Sequence, residues 1–133
     1  MYALDTNTLI YFFKGMGEVG RRLLEASPSD VAVPAIVLHE LETGIAKSFD
    51  PARRRAQLDA MLTVVKILPF GREEARVSAA IRAELEALGT PIGPLDTLIA
   101  GTAARHDAVL VTRNVREFGR VRGLRVEDWY GTP

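Results

Sequence analysis

The sequence contains no cysteine, and its 133 residues include only two histidines. Without cysteine the chain can form no disulfide, no thiolate metal site and no cysteine nucleophile, a composition typical of a reducing cytoplasm. It also lacks any apolar run near the roughly 20 residues that a membrane helix needs. The first residues carry no basic region and no small-residue cleavage site, so we expect no signal peptide and a cytoplasmic protein.

Net charge is absent as well, because 17 basic residues balance 17 acidic ones. A partner bound mainly through bulk positive charge is therefore not expected, although a local basic patch could still form. The hydrophobic fraction of 47% and the charged fraction of 26% are those of a soluble globular protein. With no repeat and no linker in a chain of this length, we expect a single domain over residues 1–133.

Short apolar runs alternate with longer helical patterns along the chain. The strand-sized runs are "MYAL", "DVAVP", "TVVKILP" and "AVLVT", with "LRVEDW" as a possible fifth. The helical patterns are "TLIYFFKG", "EVGRRLLEAS", "AIVLHELETGIAK", "PARRRAQLDAML", "REEARVSAAIRAELEALG" and "PLDTLIAGTAARH". Strands separated by helices indicate crossover connections. We therefore predict an α/β sandwich with a parallel sheet that helices cover on both faces.

Four polar residues stand at places in this pattern where a ligand could bind. In parallel α/β sheets ligands bind beyond the carboxyl ends of strands, and Asp5 directly follows the first predicted strand. The other candidates are Glu40, Asp96 and Asn114, the last of them just beyond the fourth strand. Three of them have structural explanations too, since Asp5 suits a helix N-cap, Asp96 a helix dipole and Asn114 a loop.

Glu40 is harder to explain by local structure alone. It lies on the shoulder of the apolar stripe of its helix, one turn before Gly44. A glutamate there is partly desolvated, which is costly unless its charge is offset. Gly44 costs about 1 kcal/mol of helix propensity relative to alanine, and it leaves open space beside the carboxylate. Glu42 falls on the opposite edge of the helix and is expected to be an ordinary solvated acid. For Glu40, the pattern supports a functional site and a solvated helix face equally.

The four candidate residues are more informative as a set than singly. Loops after the first and fourth strands open on the same edge of a parallel sheet, so three carboxylates and a carboxamide could converge there. Converging acids repel one another and are tolerable only around cations. Ligation by oxygen alone selects Mg²⁺ or Mn²⁺ over Zn²⁺. Such ions bind phosphate oxygens and lower the pKa of a bound water, so the pattern suggests nuclease-type hydrolysis of a phosphodiester.

Four short motifs follow one another through the chain. "LDTNTLIYF" opens it, "HELETG" and "PIGPLDTLIAGTA" follow, and "LVTRNVREF" with "GLRVEDW" closes it. Each is weak alone, but in this order and at these separations they resemble a PIN-domain ribonuclease, and more closely the VapC-type toxins of toxin–antitoxin pairs. The resemblance spans nearly the whole chain. It implies a PIN-like α/β/α sandwich with a central, mostly parallel sheet of four or five strands.

The resemblance also implies a set of site residues. The set comprises three metal ligands, a fourth catalytic position and two supporting hydroxyls: Asp5, Glu40 and Asp96; Asn114; and Thr6 and Thr112. The family often has aspartate where this chain has Asn114. Because an amide oxygen carries no charge, the number of bound metal ions, one or two, stays open. Glu117 is a candidate substitute carboxylate. Thr6 and Thr112 would orient ligands or a bound water.

An activity and partners follow from the same resemblance. It implies a Mg²⁺- or Mn²⁺-dependent endoribonuclease that acts on RNA, often structured RNA such as tRNA. It also implies a homodimer and inhibition by a small cognate antitoxin. Arg113 and Arg116 lie near the expected site and are candidate RNA-binding residues, because a guanidinium pairs bidentately with phosphate. Acidic residues interspersed among these arginines make surface ion pairs a comparable explanation.

Two other functions remain open at this point. The neutral Asn114 would suit a PIN-like module with a degenerate acid site that only binds RNA or protein. A housekeeping RNA-processing nuclease would share the same motifs. "LDTNT" also resembles the nucleophile loop of haloacid dehalogenase-like phosphatases, but that chemistry needs a second acid where this chain has Asn7.

Overall fold

The computed structural model describes residues 1–131, which include one five-stranded sheet. Its strands in chain order are β1 (Tyr2–Leu4), β2 (Val31–Pro34), β3 (Lys66–Leu68), β4 (Val109–Val111) and β5 (Val126–Glu127). Their spatial order is β3-β2-β1-β4-β5, and every neighbouring pair is parallel. The predicted α/β sandwich is confirmed, with all five strands present and no antiparallel pair among them.

In residues 1–131, seven helices connect these strands. They are α1 (Thr6–Phe13), α2 (Val19–Glu25), α3 (Ala35–Ala46), α4 (Pro51–Leu62), α5 (Arg72–Ala87), α6 (Pro94–Arg105) and α7 (Val115–Phe118), with a 3₁₀ turn at Pro28–Asp30. Sequence periodicity predicted the first six. It did not predict α7 or the 3₁₀ turn, because each is about one turn long and shows no repeating apolar stripe.

The pairing of β1 with β4 decides where the site forms. Leu4 is in register with Val111, and the Asp5 amide donates to the carbonyl of Val111 at 3.1 Å. The residues that follow these two strands, Asp5 and Thr112, therefore meet at the carboxyl edge of the sheet. This is the arrangement expected for the loops after the first and fourth strands.

The core lies on both faces of the sheet. All four residues of β2 are buried, as expected for a parallel strand covered by helices above and below. Helices α5 and α6 approach each other closely at Gly101 of α6 and Ser78 of α5. A Cβ added at Gly101 would lie 1.9 Å from the Ser78 hydroxyl, so only glycine fits there. Small buried residues of α6, Ala100 and Ala103 beside Gly101, allow this approach, whereas Ala104 is exposed.

Membrane insertion of a helix has no support in residues 1–131. Within that range, no helix combines the length and the apolar character needed to cross a bilayer.

Candidate functional site

Asp5 begins α1 and is buried, with only 7% of its surface exposed. Its Oδ1 accepts a hydrogen bond from the Thr8 amide at 2.9 Å, so Asp5 is the N-cap that sequence reasoning considered. Burial raises the pKa of Asp5 above its ordinary value, against hydrogen bonds from Thr112 and Thr8 that lower it. Asparagine would cap the helix about as well without the cost of a buried charge. Capping alone therefore does not explain a carboxylate here.

Glu40 lies on α3, whose buried positions form the predicted apolar stripe of Val37, Leu41 and Ile45. The Thr6 hydroxyl donates to Glu40 Oε1 at 2.7 Å across the edge of the sheet. A Cβ added at Gly44 would meet nothing within 4 Å, so the open space expected beside this carboxylate is present. The Glu40 side chain is thus half-buried, held on one oxygen and open on one side.

Asp96 lies in the first turn of α6, and no side-chain hydrogen bond caps this helix. Burial raises the pKa of Asp96, and the charges of Glu40, Glu117 and Asp5 raise it further. The charge of Glu40 also raises the pKa of Asp5. These couplings show that the carboxylates, which come from three helices and a strand end, share one electrostatic environment.

Asn114 and Glu117 contact each other at the same edge. The Asn114 amide nitrogen Nδ2 donates to Glu117 Oε2 at 3.1 Å, while the Asn114 backbone N–H donates to the Thr112 hydroxyl at 3.0 Å. Because Glu117 raises the pKa of Asp96, its carboxylate lies close enough to add to the site's negative charge. The fourth carboxylate therefore enters from α7, one turn beyond the asparagine.

No cation within residues 1–131 compensates these acids. None of the ion pairs there involves Asp5, Glu40, Asp96 or Glu117, whereas Glu42 on the opposite edge of α3 pairs with Arg55. In the same range, no three potential ligand side chains stand close enough to form a finished metal cage. The donor type and the uncompensated charge fit a hard divalent cation, which would draw the side chains together on binding.

The two candidate RNA-binding arginines differ in their surroundings. The Arg113 guanidinium carbon lies 3.7 Å from the centre of the Tyr130 ring and 5.7 Å from that of Tyr11. Arg116 is exposed on α7. Sequence reasoning singled out neither tyrosine, because nothing in the spacing of residues 11 and 130 shows that they meet. Ion pairing does explain Arg122 and Arg125, which pair with Glu84 and Asp107.

A sequence model of the PIN domain matches residues 2–124. The crystal structure of VapBC2 from Rickettsia felis bound to a promoter DNA fragment contains a chain that superposes with a TM-score of 0.90 at 34% identity, covering 96% of this chain and 98% of that one. DNA-bound VapBC from Salmonella typhimurium gives a TM-score of 0.89 at 37% identity, covering 96% and 97%. Fold and sequence together thus define a PIN domain.

Proteins of similar sequence show to which group within the PIN-domain family the chain belongs. The tRNA(fMet)-specific endonuclease VapC of Salmonella typhimurium is 39% identical over 128 residues, 96% of this chain and 97% of the relative. Ribonuclease VapC2 of Rickettsia felis is 35% identical over 131 residues, 97% and 98% of the two chains. The chain belongs to the PIN-domain family and, within it, to the VapC ribonucleases.

Proposed function

We propose that this protein cleaves RNA with a Mg²⁺ or Mn²⁺ ion held by Asp5, Glu40 and Asp96. Its family makes it the endoribonuclease toxin of a toxin–antitoxin system. The observation that supports the metal proposal is that burial and neighbouring carboxylates raise the pKa values of Asp5 and Asp96 at one edge of the sheet, where the described residues provide no ion-pair partner. Such repulsion is a lasting cost to the fold unless a bound cation offsets it.

Each side chain has a part in this proposal. The Thr8 amide donates to Asp5, the Thr112 side chain lowers the pKa of Asp5, and the Thr6 hydroxyl orients Glu40. These contacts orient Asp5 and Glu40, and a bound metal would draw their carboxylates and that of Asp96 closer together. When bound, the ion would supply a water of lowered pKa and stabilise the leaving oxygen of the phosphodiester.

Asn114 and Glu117 would complete the site as a neutral and a charged donor joined by one hydrogen bond. The amide cannot replace a carboxylate in charge, but Glu117 restores that charge from one turn away. This pairing favours an active site over the degenerate binding module that Asn114 alone would suit. Whether one ion or two bind depends on whether Glu117 turns toward the metal.

The substrate class and partners follow from the relatives. The Salmonella typhimurium relative is named for tRNA(fMet), so tRNA is the first substrate to test. Similar solved structures include VapBC pairs and a toxin–antitoxin complex from Klebsiella pneumoniae, which supports a cognate antitoxin for this chain. We also propose a homodimer, as the family resemblance implies. A cytoplasmic location remains a prediction from composition.

Asp5→Asn separates a metal ligand from a helix cap. Because asparagine caps helices about as well as aspartate, a cap alone predicts little change. The proposal predicts that RNA cleavage falls by about 100-fold or more, since the charge stabilisation a metal provides is worth several kcal/mol. The metal-free variant should be as stable as the wild type or more so, and stabilisation by added Mn²⁺ should shrink.

The experiment incubates purified protein with total RNA, with and without chelator, and maps the new ends. Glu42→Gln is the matched control, since this acid lies on the same helix as Glu40 but pairs with Arg55. It should cleave like the wild type. Cleavage that survives chelation, or that persists at the wild-type rate in Asp5→Asn, would contradict the assignment of the metal site.

A further inference from the structure

Arg113 is held by two aromatic rings at the rim of the acid site. Its guanidinium stacks 3.7 Å from the centre of the Tyr130 ring, and the Tyr11 and Tyr130 rings meet edge to face at 4.9 Å. A side-chain hydrogen bond with Tyr11 raises the pKa of Arg113 above its ordinary value. A guanidinium stacked by its face keeps N–H donors on its edge free for a further ligand.

Tyr130 is itself fixed, although it lies near the end of the described chain. Its carbonyl accepts from the Glu18 amide at 2.8 Å, and its own amide donates to Asp128 Oδ1 at 2.8 Å. An added Cβ at Gly17 would lie 2.7 Å from the Tyr130 carbonyl oxygen and 2.8 Å from its ring. Gly17 also has φ +63, so glycine alone lets the tyrosine sit here without strain. The platform under Arg113 is therefore rigid.

This platform lies beside the proposed metal ligands. Arg113 lies two residues after Val111, whose carbonyl accepts from the Asp5 amide, and directly before Asn114, which hydrogen-bonds Glu117. Tyr11 lies one helical turn beyond Thr8, whose amide donates to Asp5. A chain of phosphates crossing the acid edge would thus pass next to Arg113.

Arg113 differs in its surroundings from the arginines that form ion pairs. Within residues 1–131, several arginines have a carboxylate within 4.0 Å, namely Arg21, Arg55, Arg76, Arg82, Arg122 and Arg125. No such ion pair of the described chain involves Arg113. Uncharged rings hold its guanidinium, and the charge of Asp128 acts on it without an ion pair within 4.0 Å in the described residues, so its N–H donors can still bind an anion from outside.

We propose that Arg113, stacked on Tyr130, is a preformed binding site for an RNA backbone phosphate adjacent to the one that is cut. Arg113 contacts the substrate, and Tyr130 acts through Arg113 as a positioning residue. The inference rests on the proposed ribonuclease function and specifies which part of the RNA substrate Arg113 binds. Because a phosphate contact carries no sequence information, it sets the register of the RNA and not the choice of base.

The test compares variants of the full chain on an end-labelled single-stranded RNA oligonucleotide and on DNA of the same sequence. Binding is measured in chelator, and kcat and KM for the RNA are measured with Mn²⁺. Arg113→Ala should weaken binding to both oligonucleotides roughly tenfold and raise KM to match, with kcat within about twofold. The dependence of log affinity on log salt should become shallower by about 0.7.

Three further variants separate a held arginine from general positive charge. Arg122→Ala, which removes an exposed arginine that already pairs with Glu84, should change affinity by less than about twofold. Tyr130→Phe should bind like the wild type, because the ring face remains, whereas Tyr130→Leu should lose as much as Arg113→Ala. Arg113→Lys should recover only part of the affinity, since lysine lacks the planar fork.

Several results would overturn the inference. They are an equal loss in Arg122→Ala, wild-type affinity in Tyr130→Leu, a loss with RNA but not DNA, or unchanged nucleic-acid binding with a weakened antitoxin complex. Failure of the wild type to cleave RNA with Mn²⁺ would instead count against the proposed function. The binding measurements in chelator would still decide the role of Arg113, so the two failures are distinguishable.

Discussion

Two acidic residues in this protein occupy the same place in their helices, yet their surroundings differ completely. Glu74 lies in the first turn of α5 and Asp96 in the first turn of α6, where the helix dipole favours either acid. The Gly71 amide donates to Glu74 Oε1 at 2.8 Å, and His106 Nε2 lies 2.9 Å from Oε2. That hydrogen bond from Gly71, above all, lowers the pKa of Glu74, whereas burial among other acids raises that of Asp96.

The comparison teaches what separates a structural acid from a functional one. Glu74 is satisfied on both oxygens by its own fold, so its charge stabilises the native state. Asp96 has no capping bond and faces three carboxylates, so its charge is a burden on the metal-free protein. An acid that the fold leaves unsatisfied among like charges is therefore the better candidate for a ligand site.

The largest contrast should come from Asp96→Asn. We expect RNA cleavage to fall by about 100-fold or more, because a proposed metal ligand is lost. We expect the metal-free variant to unfold at the same or a higher denaturant concentration, because one of the mutually repelling charges is gone. Cleavage assays and urea unfolding in chelator measure the two effects. A variant that is inactive only because it is unstable would contradict this interpretation of Asp96.

A second prediction uses one substitution at two helix positions. Gly101→Ala should destabilise the protein by about 1–3 kcal/mol, because the new methyl group would press on Ser78 between α5 and α6. Gly44→Ala should be neutral or stabilise by up to about 1 kcal/mol, since nothing lies within 4 Å of its added Cβ. Urea unfolding of both variants is the measurement. Equal effects at the two glycines would contradict the close approach of α5 and α6.

The smallest effect is expected from Glu74→Gln, the structural counterpart of Asp96→Asn. Glutamine can still accept from the Gly71 amide, so only the charge is lost. A carboxyl whose pKa is lowered on folding stabilises the protein at pH values above its pKa in the unfolded chain, which is 4.5. That contribution is lost as the pH falls through the pKa of the folded state. The variant should thus be less stable than the wild type at neutral pH, and the gap should close below pH 4.5.

Unfolding curves over that pH range measure the gap, and RNA cleavage at neutral pH serves as the control. Cleavage should be unchanged in Glu74→Gln, because this acid lies outside the proposed metal site. A gap that widened with acid, or a loss of cleavage at full stability, would show that Glu74 and Asp96 are not the contrasting pair described above.

Much of the fold was predictable because it rests on local patterns. Apolar runs such as "DVAVP" and the three- and four-residue spacing in α5 have one stable solution each. The short α7 was not predictable, since a single turn has no period. Its absence from the prediction mattered, because α7 is the element that brings Glu117 to Asp96. Tyr130 was missed for a related reason, as its contact with Arg113 depends on how distant segments meet.

The sequence by itself determined the alternation of strands and helices, the presence of acids at their ends and the family to which the chain belongs. These features depend on residue type and short-range order. Only the tertiary structure decided which acids remain uncompensated, that His106 pairs with Glu74, and that Arg113 rests on Tyr130. The physical reason is that the free energy of a charge depends on what lies within a few ångströms of it, and folding brings those neighbours from far along the chain.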